Sequence, residues 1–364
     1  DRNLLPIKTI EYFLNIIIDE YETIYSGNQL IIKKTYTKTQ NDYLNDIGLK
    51  QDSIVEKLKY NNLELLKKII PRNKPIAHCY YEESFNFGDS AIWSGQEKLL
   101  ELLNIEPVYV CNDKNYDSIE MSNKLGDDGI ILFRGGGNFG DLYIYHNLRL
   151  QILKNHTTNT FIQLPQSVKF NNDDNITKTA NIIKLVKKVI LLARDENTYN
   201  FFLKHFYFDN VEIYLCCDMA FNLGEIKTSI KPIFKSFILK RTDQETDYPF
   251  NDIVHDVLGN DVIPLNYQYK YNDQLLLSVV IYTNKDKDIG ITDWYLTKNK
   301  NPQIYDSLSY SQKSQIGLAM ACNILSLGER VITDRLHAFI LSLQLNKPHT
   351  IINNNNGKLF SFYN

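Results

Sequence analysis

Two basic side chains, Arg335 and His337, stand at the start of a predicted helix. The helix is predicted because apolar residues recur at helical spacing from position 336 onwards, with Thr333 or Asp334 as its N-cap. A cation there faces the positive end of the helix dipole, which favours anions instead. The pair therefore suggests a site for a phosphate or carboxylate, with an imidazole as proton donor. The alternative is a solvated arginine beside a surface histidine.

The tetrapeptide Asn-Phe-Gly-Asp occurs twice, at 86–89 and 138–141, and each copy follows a predicted strand. A run of glycines, Gly135–Gly137, precedes the second copy and allows the backbone to turn sharply and approach a ligand closely. The single Gly88 of the first loop is not the G-x-G-x-x-G of a dinucleotide site, and the second loop lacks the Lys-Ser/Thr of a P-loop, which disfavours ATP hydrolysis. The alternatives are a helix cap at Asp89 and a glycine turn that packs two loops together.

A third cation, Arg194, stands where a predicted strand passes into a helix. Open α/β sheets bind ligands beyond the carboxyl ends of their strands, so Arg194 is a candidate for the same site. A further predicted strand at 160–164 is closed by Pro165-Gln166-Ser167. The alternative for Arg194 is a surface salt bridge with Asp195 or Glu196.

Strands and helices that alternate along the chain position these residues. Between residues 75 and 225 the alternation predicts an open, mostly parallel sheet with helices on both faces. It breaks near 223–232 and resumes with a strand at 234–239. We predict an α/β protein in three parts: a helical N-terminal extension over 1–74, an N-terminal domain over 75–225 and a C-terminal domain over 226–364. The extension is expected to serve packing or oligomerisation.

Composition narrows the class of protein. The chain has 364 residues and a net charge of −3, so no global basic field favours a nucleic-acid partner. Its five cysteines show no C-x-x-C pairing, which predicts neither a disulfide framework nor a zinc site and fits the cytoplasm. No stretch reaches the roughly 20 apolar residues of a membrane span, and no signal peptide pattern is present.

Eight motifs in order resemble the pattern of polysaccharide pyruvyl transferases. They are Asn86-x-Gly88-Asp89, Gly135-Gly136-Gly137-Asn138, Pro165-Gln166-Ser167, Arg194-Asp195-Glu196, Asp218-x-Ala220-Phe221, Arg241-x-Asp243-x-Glu245, Asp293-Trp294 and Arg335-Leu336-His337. The resemblance covers residues 76–361. One departure is Asn356, because the family often has an aromatic residue before the Gly-Lys that ends at Lys358. The resemblance implies two Rossmann-like domains facing a cleft, as in GT-B glycosyltransferases.

The resemblance also implies an activity. Such enzymes move the pyruvyl group of phosphoenolpyruvate onto two hydroxyls of a sugar as a ketal, usually a 4,6-ketal on a hexose or N-acetylhexosamine. The donor is phosphoenolpyruvate and no metal or redox cofactor is needed. The acceptor is a sugar or oligosaccharide, whether free, lipid-linked or nucleotide-linked. The oligomeric state is open, with a homodimer among the possibilities.

Residue roles follow from the matched motifs. Arg194, Arg335 and Lys358 are expected to hold the phosphate and carboxylate of the donor. His337 is expected to be the general acid, and Asp89 or Asp141 is a candidate for accepting hydroxyl protons. The further predicted substrate-binding residues are Leu336, Asn86, Gly136, Gly137, Asn138, Gln166 and Ser167.

Two other functions remain open at this stage. A nucleotide-sugar glycosyltransferase on the same scaffold would use the arginines and the histidine to bind a diphosphate. A non-catalytic glycan-binding protein would keep the fold and lose the chemistry. The pyruvyl transferase hypothesis requires three basic residues from two domains, Arg194, Arg335 and His337, to meet in one crevice.

Overall fold

The computed structural model describes residues 53–352, apart from 82–84, 144, 244–245, 247 and 287, together with two short strands nearer the N-terminus. Those two strands, β1 (Tyr25–Ser26) and β2 (Gln29–Leu30), pair antiparallel. Apart from these two strands, the part of the predicted helical N-terminal extension before residue 53 lies outside the described residues. Within the described ranges, no helix has both the length and the apolar run needed to cross a membrane.

The N-terminal sheet is parallel throughout, and apolar residues on both faces bury it. Its strands lie in the order β4 (Tyr109–Cys111), β3 (Ile76–Cys79), β5 (Ile130–Phe133), β7 (Thr160–Val168), β8 (Lys188–Ala193) and β9 (Val211–Leu215), with β6 (Gly136–Phe139) against β7. The helices that alternate with these strands are α2 (Phe87–Leu102), α3 (Ser118–Leu125), α4 (His146–Asn155), α5 (Asp173–Ile183) and α6 (Glu196–Phe206).

The C-terminal sheet is mixed. Its main path runs in the order β11 (Ile263–Lys270), β12 (Leu276–Thr283), β13 (Ile289–Thr292), β10 (Phe234–Leu239), β15 (Gly328–Thr333) and β16 (His349–Ile351). Strands β13, β10, β15 and β16 are parallel, whereas β11, β12 and β14 (Thr297–Asn299) form an antiparallel wing. Its helices are α7 (Phe250–Leu258), α8 (Pro302–Asp306), α9 (Tyr310–Ser326) and α10 (Leu336–Gln344).

Both sheets reverse their strand order, and these reversals locate the ligand site. In the N-terminal sheet, β3 is followed along the chain by its neighbour on one side, β4, and then by its neighbour on the other side, β5. In the C-terminal sheet, β10 is followed by β13 on one side and later by β15 on the other. The carboxyl ends of strands at such a switch point leave a crevice that binds ligands. The predicted two-sheet α/β fold is therefore confirmed, and each sheet has a switch point.

Strand β7 extends further than the sequence predicted. The prediction ended it at Leu164 because proline cannot donate to a strand ladder. The strand instead runs through Pro165 to Val168, because the register between β7 and β8 shifts between Gln163 and Gln166. Gln166 and Ser167 therefore belong to the strand and not to a loop beyond it.

The described part of the N-terminal extension is helix α1 (Ile54–Ile69), which packs against the 3-10 helix Met219–Leu223. Asn62, at the centre of its buried stripe, is fully buried. Its Oδ1 accepts the backbone N–H of Cys217 at 3.0 Å, and its Nδ2 donates to the carbonyls of Cys217 and Asp218 at 3.4 Å. One helix of the extension therefore fixes the loop that carries Asp218.

Helix α2 ties the two sheets together because it packs against α9 of the C-terminal half. Small residues allow the close approach. A Cβ atom added at Gly317 would lie 2.2 Å from Ser90 Oγ, and one added at Gly95 would lie 2.0 Å from the carbonyl oxygen of Met219. The start of α2 is therefore held at the boundary between the two halves of the molecule.

We expect Asn62→Leu to lower the free energy of unfolding by about 1–3 kcal/mol, because it leaves buried backbone groups of Cys217 and Asp218 without partners. Urea denaturation followed by circular dichroism measures the change. Tyr60→Ala on the same helix is the control: Tyr60 is 62% exposed, so its effect should stay within about 0.5 kcal/mol. Equal stability of Asn62→Leu and Tyr60→Ala would contradict the role of Asn62.

Candidate functional site

A cleft between the two sheets collects side chains from both switch points. Its N-terminal wall comes from the loops after β3, β5 and β8 and from the start of α2. Its C-terminal wall comes from the loop after β10, the 3-10 helix after β13 and the start of α10. The lining residues are Asn86, Asp89, Ile92, Arg134, Gly137, Asn138, Tyr143, Tyr145, Arg194, Arg241, Asp243, Trp294, Tyr295, Arg335, Leu336 and His337.

Arg194 is held rigidly at the N-terminal wall. Its Nε donates to Ser167 Oγ at 2.8 Å, and its Nη1 donates to Asp218 Oδ2 at 2.7 Å. A Cβ atom added at Gly137 would lie 3.1 Å from Arg194 Nη2, so the absence of a side chain there makes room for the guanidinium. The surface salt bridge considered from the sequence is not seen, because the partner of Arg194 is the buried Asp218.

Arg335 occupies the facing wall and is equally constrained. Its Nε and Nη2 donate to the two carboxylate oxygens of Asp293 at 2.7 and 2.8 Å, a bidentate pairing. Asp243 lies 3.5 Å from Nη2, and the guanidinium carbon lies 5.0 Å from the ring centroid of Tyr295. The side chain is 3% exposed. These contacts fix the direction in which the guanidinium meets a ligand.

The start of α10 differs from the prediction. Arg335 itself is the N-cap, and no side chain among the described residues caps the helix. Thr333 Oγ1 accepts the backbone N–H of Arg335 at 3.0 Å, whereas Asp334 turns away to Lys240 at 2.5 Å and to the backbone of Arg241 at 2.9 Å. The first-turn N–H groups of α10 lack a capping side chain, which is the arrangement that binds anions at helix starts.

His337 connects the two halves of the cleft. Its Nε2 lies 3.4 Å from Oδ2 of Asp218, which the N-terminal half supplies. Its other nitrogen lies against the start of α2, where a Cβ atom added at Gly88 would be 2.6 Å from His337 Nδ1. Glycine at this position therefore makes room for the imidazole ring.

Asp218 is fully buried beneath both Arg194 and His337. Burial on its own raises the pKa of this carboxyl, but the opposing effects of His337, of Arg194 and of the backbone N–H of Ala220 prevail and leave the pKa below its usual range. The group is therefore ionised at neutral pH and acts only as a hydrogen-bond acceptor.

Two further arginines line the cleft that the sequence did not assign to the site. Arg134, at the end of β5, pairs with Asp89 at the start of α2. Arg241, beyond β10, makes a bidentate pair with Asp243: its Nε and Nη2 donate to the two carboxylate oxygens, each at 2.8 Å. Both follow strands that flank a switch point, and that position in the sequence is the signal that would have found them.

Asn138 is held by a buried network below the glycine loop. Its Oδ1 accepts from Arg149 Nη2 at 2.9 Å and from Gln166 Nε2 at 2.8 Å. Gln166 Oε1 accepts the backbone N–H of Asn138 at 3.1 Å. Arg149 and Gln166 are both fully buried. Gln166 therefore supports a residue of the cleft wall.

Several predicted site residues do not line the cleft. Gly136 has a φ of 127° and carries the turn that presents Gly137. Ser167 bridges Arg194 and Asp195 from beneath. Asp141 faces α5, where it accepts the backbone N–H groups of Asn171 and Asn172 at 2.6 and 3.0 Å and the side chain of Asn175 at 2.9 Å.

Asp89 is thus the candidate base that the structure brings to the cleft, and Asp141 is not. Burial raises the pKa of Asp141, but its hydrogen bonds lower the pKa overall, which also disfavours it as a base. Lys358 lies outside the described residues. The predicted residues that do line the cleft are Asn86, Asp89, Gly137, Asn138, Arg194, Arg335, Leu336 and His337.

Fold and cleft together define an α/β protein of two sheets with an arginine-rich cleft between them. A profile of the family described as polysaccharide pyruvyl transferase matches residues 86–356. The chain belongs to that family of transferases, which act on a sugar acceptor. The eight-motif resemblance is thereby confirmed at the level of the family.

Individual relatives agree with this assignment. The chain is 29% identical over 303 residues to pyruvyl transferase 1 of Schizosaccharomyces pombe, covering 80% of this chain and 69% of that protein. It is 28% identical over 301 residues to EpsO of Bacillus subtilis, named provisionally as a pyruvyl transferase, covering 82% and 87%. An uncharacterised protein of Klebsiella pneumoniae superposes with a TM-score of 0.52 at 20% identity, covering 84% and 93%, and supports the fold.

We expect Gly88→Ala to lower the rate of pyruvyl transfer by roughly tenfold or more, because its Cβ displaces the His337 ring and an error of about 1 Å in placement can cost 10²-fold. The free energy of unfolding should change by less than about 1 kcal/mol. Lys98→Ala, on the exposed side of the same helix, is the control. Full activity of Gly88→Ala would show that the ring tolerates displacement.

Proposed function

We propose that this protein transfers the pyruvyl group of phosphoenolpyruvate to two hydroxyls of one sugar residue, forming a cyclic ketal in glycan biosynthesis. One observation carries the proposal: Arg194 from the N-terminal half lines the same cleft as Arg335 and His337 from the C-terminal half. A donor with two anionic groups and a carbon that must be protonated needs that combination of cations and acid.

Donor binding uses two kinds of anion recognition. The paired N–H groups of an arginine guanidinium match the planar carboxylate and the phosphate of phosphoenolpyruvate. Arg194 and Arg335 supply such guanidinium groups from opposite walls of the cleft. The uncapped start of α10 adds backbone N–H groups. The cleft volume is about 230 Å³, below the roughly 300–1,000 Å³ of sites for drug-sized ligands. This volume fits the small donor.

The proposed reaction balances with these groups alone. His337 gives a proton to the methylene carbon, which becomes a methyl group and leaves an oxocarbenium-like centre on the adjacent carbon. A sugar hydroxyl adds to that centre and loses its proton, with Asp89 as the candidate base. The bond between that carbon and the phosphate oxygen then breaks, and phosphate departs. A second hydroxyl of the same sugar adds to the carbon and closes the ketal. Its proton leaves with the phosphate, and no cofactor takes part.

The acceptor is proposed to lie against two tyrosines of the N-terminal wall. Tyr143 and Tyr145 line the cleft, and their ring centroids are 6.2 Å apart at an interplanar angle of 26°. Tyr145 also packs against Tyr80, with centroids 5.2 Å apart. Aromatic faces of this kind suit the C–H face of a pyranose ring, and the phenol oxygens suit its hydroxyls. A 4,6-ketal on a hexose or N-acetylhexosamine, free or lipid- or nucleotide-linked, is the proposed product.

We place the reaction in the cytoplasm. All five cysteines are buried free thiols, the form that a reducing compartment maintains.

Thermal protection separates this function from nucleotide-sugar chemistry. Phosphoenolpyruvate alone at about 100 times its Kd should stabilise the protein by about 2.7 kcal/mol, a protection that a nucleotide-sugar glycosyltransferase would not show. Phosphate release should require both phosphoenolpyruvate and a sugar from a panel of hexoses and N-acetylhexosamines. Protection by a UDP-sugar with none by phosphoenolpyruvate would favour a glycosyltransferase, and protection by glycans alone would favour a binding protein.

We expect Tyr143→Ala to raise the KM for the sugar by roughly threefold to tenfold, since aromatic contacts contribute about 0.5–1.5 kcal/mol. The KM for phosphoenolpyruvate should stay within twofold of the original. Tyr143→Phe keeps the ring and is the matched control, with a near-normal KM for the sugar. An equal rise in both KM values after Tyr143→Ala would place this tyrosine at the donor and not at the acceptor.

A further inference from the structure

We propose that Asp218 is a positioning residue that holds His337 as its Nε2–H tautomer, so that the proton given to the substrate leaves from Nδ1. The inference deepens the proposed function and rests on it where activity is concerned. Its structural part, the orientation and tautomer of the ring, stands on the contacts of Asp218 alone.

The first step is the state of the carboxylate. Asp218 Oδ1 accepts the backbone N–H of Ala220 at 2.9 Å, and Oδ2 accepts Arg194 Nη1 at 2.7 Å. A buried charge is stable only when it is paired and hydrogen-bonded, and both conditions are met. Asp218 is therefore an ionised acceptor with no hydrogen of its own to offer.

The ionised carboxylate determines which nitrogen of the neutral imidazole carries the hydrogen. His337 Nε2 lies 3.4 Å from Asp218 Oδ2. A nitrogen lone pair directed at an ionised oxygen would be repelled, so Nε2 must carry the hydrogen in the neutral ring. In the imidazolium both nitrogens carry hydrogens, and Nε2–H still faces the same carboxylate.

The third step assigns the direction of proton transfer. Asp218 is fully buried, so the Nε2 side of the ring faces the interior of the protein. Nδ1 lies at the start of α2, where Gly88 leaves room for it. Because Nε2 is engaged by Asp218, Nδ1 is the ring nitrogen that remains for proton exchange with a ligand. The arrangement shares the logic of a histidine oriented by a buried aspartate in acyl transfer, with the two ring nitrogens exchanged.

Other charged groups near His337 make their ion pairs with other residues, whereas Asp218 pairs with Arg194 and also contacts the imidazole. Asp89 on α2 pairs with Arg134. Arg335, at the N-cap of the same helix, pairs with Asp293. Asp243 pairs with Arg241. Asp218 is the carboxylate recorded in contact with the imidazole in the described part of the chain.

The test is the ¹⁵N NMR spectrum of the histidine rings in the full chain, at a pH where His337 is neutral. The chain has seven histidines, and His337→Gln identifies the signal by its loss. We expect the Nε2–H tautomer in the unaltered protein and a mixture of tautomers in Asp218→Asn. A predominant Nδ1–H tautomer in the unaltered protein would overturn the proposal, and that result does not require Asp218→Asn to fold.

Asp195 joins the same hydrogen-bond network through Ser167, and Asp195→Asn is therefore a matched control. Ser167 Oγ donates to Asp195 Oδ2 at 2.5 Å, and Asp195 caps α6 through the N–H of Thr198 at 2.8 Å. Asp195→Asn keeps a good helix cap and does not contact His337, so the tautomer should stay unchanged. The same tautomer ratio in Asp218→Asn as in Asp195→Asn would overturn the role of Asp218.

Turnover provides a second readout. Asp218→Asn should lower kcat by roughly tenfold or more, but by less than His337→Gln, which removes a general acid that contributes roughly 10²–10⁴-fold. Absence of any turnover with phosphoenolpyruvate in the unaltered protein would defeat the proposed function while leaving the tautomer result intact. Full activity of Asp218→Asn would show that His337 needs no positioning by this carboxylate.

Discussion

The buried carboxylate of Asp218 is the interaction on which the cleft depends. It accepts from Arg194 of the N-terminal half and contacts His337 of the C-terminal half. A buried carboxylate is costly unless its partners stay in place, so the two halves are coupled through it. The loop that carries it is fixed by Asn62 of α1. The N-terminal extension thereby contributes to the site without entering it.

The proposed recognition of an anion in the cleft rests on geometry more than on net charge. Each of its four arginines faces a carboxylate: Arg134 faces Asp89, Arg194 faces Asp218, Arg241 faces Asp243, and Arg335 faces Asp293. The pairings reduce the electrostatic attraction for a ligand, but they fix each guanidinium before the ligand arrives. Fixed donors need little reorganisation during binding or reaction. This explains how a chain with a net charge of −3 can offer a site for a small dianion.

The sequence predicted the positions where strands end better than the direction in which side chains point. Arg194, Arg335 and His337 were assigned to one site from the family resemblance and from their positions where a strand meets a helix, and all three line the cleft. Periodicity places residues along a strand, but burial and hydrogen bonds decide which side chain reaches the ligand. The pairings of the cleft join residues far apart along the chain, so spacing alone could not reveal them.

Three misplaced expectations have separate physical causes. Gln166 was expected in a loop, but the register shift carries β7 through Pro165 and buries it beneath Asn138. Asp141 repeats the motif of Asp89, yet its carboxylate meets the start of α5 instead of the cleft. The antiparallel wing of β11, β12 and β14 escaped prediction because alternation within short strands does not state which neighbour they pair with.

The central claim is that arginines from both halves grip one phosphoenolpyruvate molecule. Calorimetric titration of phosphoenolpyruvate into the acceptor-free protein tests it most directly, with Arg194→Met and Arg335→Met compared under the same conditions. One binding site per chain is expected, and each substitution should weaken the affinity by roughly tenfold or more, or about 1.4 kcal/mol. Unchanged affinity in either variant, with the fold intact, would contradict a shared grip.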